Sequence, residues 1–329
     1  MVKIAIIGSG MSGITAASFL RDHAEVFVFE KAKNVSGRMA TRRADPYFFD
    51  HGAQYFTART QSFKKFISPL INSGVIDRWN ARYVKFDGKK IIERQAWKDE
   101  GSEPRYVGVP GMNEIVKQLA MGLNIEFNTR IQTIWWEDKW QLLSGHNKVH
   151  GGFDWVICTA PSHQTADLLP INFHYYSDIK NIKMQPCFSL MLGFREPLSL
   201  EFDAAHVTNS DLSWLAVNSH KPGRPSPYTL LVHSSEKYAK EHLNDDRALV
   251  IDHLCAETSR IIDYDVSVSD CKIVHSWLYA NNLKREIYPV FFDQGLQLGV
   301  CGDWCVGGRI EGAFTAAFDL VEKIKKRIL

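Results

Sequence analysis

A glycine-rich turn near the N-terminus constrains this chain more than any other sequence feature. Gly8, Gly10 and Gly13 follow an apolar run at 3–7 and open a helical pattern at 12–22, and Glu30 ends a second apolar run. A strand, a G-x-G-x-x-G turn and a helix, with an acid about 20 residues further on, indicate a βαβ unit that binds a dinucleotide. The helix N-terminus then offers unpaired N–H groups to the phosphates.

Length and composition bound what else the chain can be. At 329 residues it is too long for one small core, so two joined domains are expected. Hydrophobic residues make up 45% and charged residues 23%, the balance of a soluble globular protein. The net charge of +2 favours neither nucleic acid nor an anionic membrane as the main partner. Without a signal-peptide pattern or an apolar run long enough to cross a bilayer, a cytoplasmic location is expected by default.

The six cysteines do not show the spacing of a metal site. Cys301 and Cys305 are the one close pair, and no second pair completes a tetrahedral zinc centre. We therefore expect free thiols, mostly buried, and no metal.

Periodicity and turn signals place further elements along the chain. The Asp87-Gly88 step predicts a hairpin between 83–86 and 90–93. Strands are predicted at 130–136, 140–143, 155–158, 188–194, 214–217 and 228–232, with a further strand ending at Gly302-Asp303, and helices at 111–121, 236–262 and 312–326.

Three later segments distinguish FAD from NAD as the dinucleotide. The guanidinium of Arg38, next to Gly37, can meet a phosphate in a fixed fork geometry. The block 50–56 combines small residues with aromatic ones that carry polar tips, and could lie along a flat ring, although a buried strand with a conformational glycine explains it equally well. Asp303 can bind ribityl hydroxyls, and a helix that opens at 310–314 can face the flavin pyrimidine, where negative charge accumulates on reduction.

Taken together, these motifs resemble renalase, a member of the flavin amine oxidase superfamily with the p-hydroxybenzoate hydroxylase-like fold. The resemblance rests on the glycine turn and on four further motifs that span residues 4 to 318: Gly37-Arg38-Met39, His51-Gly52-Ala53-Gln54-Tyr55, Val109-Pro110-Gly111-Met112 and Cys301-Gly302-Asp303. It implies an α/β protein with a Rossmann-like FAD-binding domain and a mixed α+β substrate domain over the flavin. The expected boundaries are 1–75, 105–165 and 275–329 for the FAD-binding domain, and 76–104 and 166–274 for the substrate domain.

The resemblance also implies a non-covalent FAD, a substrate and an electron acceptor. The substrate would be an isomer of reduced nicotinamide dinucleotide with its hydride at ring position 2 or 6, oxidised to NAD(P)⁺, and dioxygen would reoxidise the flavin to give hydrogen peroxide. Ile131 would contact adenine through its backbone. Family members often carry a basic residue where this chain has Leu278, which puts a phosphate contact from that position in doubt. The predicted cofactor contacts are Gly8, Ser9, Gly10, Met11, Ser12, Gly13, Glu30, Lys31, Gly37, Arg38, Met39, His51, Gly52, Ala53, Gln54, Ile131, Thr159, Gly302, Asp303, Arg309, Ile310, Glu311, Gly312 and Ala313.

Hydride transfer to flavin N5 requires orientation and electrostatics more than acid–base side chains. Gln54, Tyr55, Trp277 and Tyr279 are the candidates to line the exposed face of the ring, with ordinary strand packing as the alternative for Trp277 and Tyr279. His51 is a candidate general base, although a histidine beside a glycine is more often a structural residue.

Two other classes of protein fit parts of the pattern. An amine oxidase for a neutral amine or polyamine would share the fold, but no lysine can be placed in the role such enzymes give to one that bridges water to N5. A non-enzymatic prenyl-group carrier of the Rab dissociation inhibitor type also shares the fold, and the intact nucleotide motifs argue against it.

Overall fold

The computed structural model describes residues 1–97, 103–225, 227–282 and 287–329. Its strands, numbered along the chain, are β1 Lys3–Ile7, β2 Glu25–Phe29, β3 Thr41–Ala44, β4 Tyr47–Asp50, β5 Ile76–Arg78, β6 Arg82–Asp87, β7 Lys90–Ala96, β8 Tyr106–Gly108, β9 Asn124–Glu126, β10 Ile131–Glu137, β11 Lys139–Ser144, β12 Val149–Phe153, β13 Trp155–Cys158, β14 Met184–Phe194, β15 Ala204–Thr208, β16 Leu212–Val217, β17 Tyr228–Ser234, β18 Cys271–Asn282, β19 Phe291–Asp293 and β20 Leu298–Val300. Its α-helices are α1 Met11–Leu20, α2 Gln61–Asn72, α3 Asn113–Leu119, α4 Ser162–Ala166, α5 Tyr176–Asn181, α6 Glu236–Glu241, α7 Arg247–Ile262 and α8 Ile310–Ile328.

The chain divides into two compact units, each built from separate segments. Unit 1 comprises Met1–Arg38, Val116–Met184 and Asn281–Leu329, and unit 2 comprises Met39–Ile115 and Gln185–Ala280. These boundaries differ from those expected at 75, 105, 165 and 275. The reason is packing, because Tyr47 and Phe49 of β4 lie in a buried cluster with Met191 and Leu231 of the large sheet in unit 2. Segment 39–75 thereby belongs to unit 2, although it directly follows the first segment of unit 1 in the sequence.

Unit 1 contains the predicted βαβ element. Its six-stranded sheet has the order β19-β20-β13-β1-β2-β9, and β1 runs parallel to both β2 and β13. The apolar residues of β1 are buried on both faces, as expected for a central parallel strand. A separate antiparallel sheet, β10-β11-β12, includes the strands predicted at 130–136 and 140–143. The α/β class and the Rossmann-like nucleotide domain are therefore confirmed.

Unit 2 is built on a seven-stranded mixed sheet with the order β18-β14-β17-β16-β15-β6-β7. The predicted hairpin around Asp87-Gly88 forms its β6-β7 edge, and β6 pairs in parallel with β15. One face of the sheet carries a large apolar core with α7, and alternate residues point to the opposite face, where β4 packs. This opposite face also carries Ser189, His233 and Trp214.

Two predicted elements differ from the structure. The helix expected over 236–262 is two helices, α6 and α7, because Asp246 caps a new helix by accepting a hydrogen bond from the Ala248 N–H at 2.7 Å. The strand expected to end at Gly302-Asp303 ends at Val300, and a short 3₁₀ helix occupies Asp303–Cys305.

The remaining global predictions concern thiols, metals and membranes. All six cysteines are free, and only Cys271 is partly exposed, so the prediction of buried thiols is largely confirmed. The described residues contain no group of three or more His, Cys, Asp or Glu side chains placed to hold a metal ion. Among the helices of the described segments, none is long and apolar enough to span a membrane.

Candidate functional site

The glycine turn of unit 1 has the geometry that its sequence predicts. Gly8 has a φ of +107°, a backbone conformation that side chains rarely adopt. A Cβ on Gly13 would overlap the carbonyl oxygen of Gly8, so the close approach of α1 to β1 depends on glycine there. A Cβ on Gly10 would meet no atom within 4 Å. Gly10 therefore borders open space, as expected of the glycine that admits a pyrophosphate.

Thr159 supports the turn from the neighbouring strand. Its hydroxyl donates to the carbonyl oxygens of Ile7 at 2.9 Å and Gly8 at 3.2 Å. The carboxyl ends of β1 and β13 meet here, at the edge where open α/β sheets bind their ligands. The predicted contact of Thr159 with the cofactor remains a prediction, and its observed role is to hold the turn.

Glu30 ties the second strand to the glycine turn. One carboxylate oxygen accepts hydrogen bonds from the Ser9 N–H at 2.8 Å and the Ser9 hydroxyl at 2.7 Å, and the other accepts from the Ala32 N–H at 2.8 Å. Only 8% of Glu30 is exposed. The acid predicted to bind ribose therefore also fixes the turn that faces the phosphates, and the ribose contact itself remains a prediction.

Arg38 and Asp303, predicted as separate cofactor ligands, form a bidentate ion pair. Nη1 of Arg38 donates to Oδ2 of Asp303 at 3.0 Å, and Nη2 donates to Oδ1 at 2.5 Å. Gly37 precedes this arginine with a φ of +51°, and its Cβ position lies 3.5 Å from the Cα of Gly10. Gly37 thus lies beside Gly10, which borders open space. Unit 1 also holds the buried Asp303 and the partly exposed Arg38.

The N-terminus of α8 is packed against α1 in the same unit. Arg309 is the residue before the helix and provides no side-chain cap, so the first N–H groups of Ile310, Glu311 and Gly312 have no cap from it. A Cβ on Gly312 would overlap the carbonyl of Val306, and a Cβ on Gly302 would overlap the Trp304 ring. The Ser12 hydroxyl donates to the carbonyl of Ala313 at 3.0 Å. The N-termini of α1 and α8 are therefore linked within unit 1, and each presents the positive end of a helix dipole, which favours a dinucleotide phosphate.

The other cofactor residues predicted from the sequence lie in several places. Met11 and Ser12 are buried in the first turn of α1, and Ile131 is buried at a bulge where β10 begins to pair with β11. Lys31 is exposed and its ammonium donates to Gln164 at 3.3 Å. Met39 is buried but belongs to unit 2. Their contacts with a cofactor remain predictions.

In unit 2, the segment that begins at Asp50 rests on a buried ion-pair network. Oδ2 of Asp50 accepts from Nε of Arg224 at 3.1 Å and Nη2 at 2.5 Å, and the Lys221 ammonium lies 3.5 Å away. All three side chains are essentially inaccessible to solvent. Oδ1 of Asp50 accepts from the Thr41 hydroxyl and from the Met112 N–H. Burial raises the pKa of Asp50, but the two cations outweigh it and hold the pKa below its usual range.

Gln54, predicted to line a ring, is part of this network. Its amide nitrogen donates to the carbonyl oxygens of Asp50 at 2.5 Å and Gly52 at 3.0 Å. Its amide oxygen accepts from the Lys221 ammonium at 3.0 Å. With both ends of the amide engaged, Gln54 fixes the turn of His51-Gly52-Ala53, and its predicted contact with a ring remains untested.

His51 lies in an aromatic cluster with His275 and Trp277. Its ring stacks on Trp277 with centroids 5.1 Å apart and meets His275 edge-on at 5.0 Å, and its carbonyl accepts from the Trp277 indole at 2.8 Å. Burial lowers the pKa of His51 to about 4, and the neighbouring His275 and Arg42 act in the same direction. Burial and Arg42 likewise lower the pKa of His275. The cluster is therefore uncharged at neutral pH, so His51 is unsuited to be a general base that cycles near pH 7.

Tyr55 belongs to a second aromatic group in unit 2. Its ring lies 5.0 Å from Trp97 and 5.6 Å from Trp214, and the guanidinium of Arg105 lies 4.8 Å from the Trp97 centroid. Tyr279 lies on β18 two residues beyond Trp277, so the two side chains share a face of the sheet. Leu278 lies between them, points to the other face and is 49% exposed. The structure thus brings His51 and Trp277 together, and separately Tyr55 with Trp214.

Lys221 and Arg224 are functional-site residues that no local sequence pattern predicts. They occur in a proline- and glycine-rich loop, 171 and 174 residues from the aspartate that they neutralise. The one sequence feature that marks them is their position as two basic residues in a loop with few other charges.

Comparison with solved structures shows the fold. A protein from Exiguobacterium sp. 255-15, provisionally named a protoporphyrinogen oxidase, matches with a TM-score of 0.79 at 12% identity and 99% coverage of both chains. A putrescine oxidase with bound putrescine matches with a TM-score of 0.70, also at 12% identity and 99% coverage of both chains.

Curated relatives match only a short segment. 4,4'-Diapophytoene desaturases of Staphylococcus aureus are 44% identical over 52 residues, which is 16% of this chain and 10% of each relative. The match thus extends over a small part of those enzymes.

Two family models match the chain in succession. The NAD(P)-binding Rossmann-like domain matches residues 6–70, and the flavin-containing amine oxidoreductase model matches residues 82–317. This assignment favours an enzyme over the prenyl-group carrier, and the open space at Gly10 fits the dinucleotide of FAD. Because the second model covers well over half of the chain, the protein belongs to the flavin-containing amine oxidoreductase family and is an FAD-dependent oxidoreductase.

Proposed function

We propose that this protein is a renalase-type oxidase that removes hydride from isomeric reduced nicotinamide dinucleotides, with the hydride at ring position 2 or 6. The observation that carries the proposal is the charge around the His51–His275–Trp277 cluster. The three rings are uncharged at neutral pH, and the cation Arg42 is close enough to lower the pKa of both histidines. The same cation opposes the rise that burial causes in the pKa of the Cys271 thiol.

This electrostatic setting favours one substrate class over the other. A protonated amine brought to the cluster would be repelled by Arg42 and would find neutral imidazoles. A dihydropyridine ring is flat and uncharged, and its dinucleotide carries phosphates that Arg42 attracts. The pyrophosphate can therefore be held by charge while the ring packs on His51 and Trp277.

The FAD that this reaction requires would be held by residues of unit 1. These are the turn from Gly8 to Gly13 with Glu30, the Arg38–Asp303 pair and the N-terminus of α8. The chemistry that FAD supplies when bound is acceptance of a hydride at N5 and transfer of its two electrons to dioxygen. In sum, the reduced substrate, dioxygen and one proton give NAD(P)⁺ and hydrogen peroxide. The chain itself supplies orientation and charge.

The test is anaerobic mixing of the FAD-loaded protein with candidate reductants, followed by flavin absorbance. We expect fast bleaching by 2- and 6-dihydroNAD(P) and no fast bleaching by putrescine. An Arg42→Gln variant should raise the Kd of the dinucleotide about 10-fold, as expected for a lost contact to a charged group. Arg43→Gln is the matched control, because Arg43 follows on the same strand, faces the other side and lies over the Phe48 ring at 5.6 Å.

Oxidation of an amine is the second candidate, and the similarity to a putrescine oxidase fold favours testing it. Amine oxidases of this kind use a lysine that bridges water to flavin N5. Lys221 is the buried lysine that best matches this role. Its ammonium is already engaged by Gln54 and Asp50 and lies 5.2 Å from the Trp79 ring. Rapid bleaching by putrescine and none by the dinucleotides would replace our proposal with this one.

A further inference from the structure

Three polar side chains lie in a row across adjacent strands of unit 2. Ser189 of β14 pairs directly with His233 of β17, and His233 pairs directly with Trp214 of β16. Directly paired residues share a face, with Cβ atoms about 5 Å apart. On this face the next pair along is Met191 and Leu231, on which β4 packs. We call these three residues the Ser189–His233–Trp214 row.

Each member of the row holds a buried polar atom with no hydrogen-bond partner among the described residues. These atoms are Oγ of Ser189, Nε2 of His233 and Nε1 of Trp214. Ser189 is fully buried, whereas the other two side chains are partly exposed although their nitrogens are not. A buried polar atom without a partner is rare and costly, and three of the nine such atoms in the described residues lie in register here, where a bound group would supply the missing partners.

The hydrogen-bonding capacity of the row can be read from its chemistry. The Trp214 indole is a donor only, and the Ser189 hydroxyl can accept. Burial lowers the pKa of His233 to about 4, so the ring is neutral at pH 7, and we place its proton on Nδ1, away from the unpaired Nε2. Nε2 of His233 is then left as an acceptor. The row offers one donor at Trp214 and acceptors at His233 and Ser189.

We propose that the Ser189–His233–Trp214 row binds the carboxamide of the substrate's dihydropyridine ring. A carboxamide has one carbonyl oxygen and two N–H groups, which match one donor and two acceptors. The ring of Tyr55 lies 5.6 Å from that of Trp214, so a ring attached to the carboxamide would pack beside Tyr55. This inference rests on the proposed function. In it, the Ser189–His233–Trp214 row selects the substituent on the substrate's ring.

The test compares two substrates that differ only in this substituent. One is 6-dihydroNAD, and the other is the same isomer of the 3-acetylpyridine analogue, which keeps the carbonyl oxygen but lacks the N–H groups. Stopped-flow reduction of the FAD-loaded protein gives the Kd and the rate for each. We expect the wild type to favour the carboxamide by at least about 10-fold, because the analogue leaves two acceptors unpaired.

Two variants assign the effect to the row. Ser189→Ala should weaken binding of the carboxamide about 10-fold and leave the acetyl analogue unchanged, whereas Trp214→Phe should weaken both. The control is Ser213→Ala, because Ser213 lies next to Trp214 but its hydroxyl already donates to the Ser234 carbonyl at 2.8 Å. Thermal unfolding without substrate provides a second measurement, and Ser189→Ala should not lower the midpoint because it removes an unpaired hydroxyl.

The outcomes separate this inference from the proposed function. If neither dinucleotide reduces the flavin, the proposed function is wrong and the inference is overturned with it. If both reduce it equally, or if Ser189→Ala affects both alike, the function stands and the row is occupied by something other than the carboxamide, such as bound water.

Discussion

Arg224 holds Asp50 with two nitrogens, Nε at 3.1 Å and Nη2 at 2.5 Å, and neither side chain reaches solvent. The same arginine donates to the Gly108 carbonyl at 2.6 Å and to the Pro222 carbonyl at 2.7 Å. One side chain therefore joins the end of β4, the strand β8 and a loop after β16. The position of His51, the next residue after Asp50, depends on this junction.

We expect removal of Asp50 to destabilise the fold strongly. Asp50→Ala would leave Lys221 and Arg224 as buried cations without their counter-charge, at a cost of about 3–5 kcal/mol in the free energy of unfolding. Urea denaturation measures this loss. The control is Glu201→Ala, which breaks the exposed pair with Arg94 and should cost at most about 1 kcal/mol. Equal effects of the two substitutions would contradict the structural importance of the network.

Alanine at two glycines of the turn should separate folding from cofactor binding. Gly10 has φ −73°, which alanine adopts freely, and its Cβ would meet no protein atom, so Gly10→Ala should fold normally but bind FAD at least about 10-fold more weakly. Gly13→Ala should destabilise the apoprotein itself, because its Cβ overlaps the Gly8 carbonyl. Unfolding midpoints without FAD and Kd values from fluorescence titration measure the two effects. Normal FAD affinity in Gly10→Ala would show that the open space is not the pyrophosphate site.

His51 should make stability depend on pH between about 4 and 6.5. The pKa of its imidazole is about 4 in the fold and about 6.5 when unfolded, so in that interval the unfolded chain binds more protons. Stability conferred by the neutral ring is complete above pH 6.5 and declines as the pH falls to 4, by about 3 kcal/mol at most. His51→Asn lacks this titration. The loss between pH 7 and pH 4.5, measured by denaturant unfolding, should be smaller in that variant, and equal losses would contradict the assignment.

Leu278→Arg should leave substrate affinity unchanged. Adjacent residues of a strand point to opposite faces, so position 278 faces away from the side of β18 that carries Trp277. The basic residue that related proteins often have there would consequently not contact a ring held by the His51 cluster. A change of less than about twofold in the Kd of 6-dihydroNADP is expected. A 10-fold improvement would show that the phosphate end of the substrate reaches that face.

Features set by neighbouring residues could be predicted from the sequence. The βαβ unit, the hairpin at Asp87-Gly88 and the acid Glu30 depend on local turn chemistry and periodicity, and each occurs where predicted. The single helix expected over 236–262 is wrong because Asp246 prefers the N-cap position and begins a second helix inside the apolar pattern.

Features that depend on distant partners could not be predicted. Arg38 and Asp303 were each expected to face a ligand, but their mutual ion pair joins residues 265 positions apart. Gln54 looked like a ring-lining residue, and only the position of Lys221 shows that both ends of its amide are engaged. The Ser189–His233–Trp214 row follows from strand register, which no local pattern specifies.

The order of strands in unit 1 has a consequence for how the protein is made. β1 lies between β13 and β2, and β13 in turn needs β20, which is formed by residues 298–300. An N-terminal fragment that carries the entire glycine motif would therefore emerge from the ribosome with one edge of its central strand unpaired. We expect such a fragment to aggregate when expressed alone, so a minimal nucleotide-binding domain cannot be obtained by truncation and would require the three segments of unit 1 to be joined by linkers.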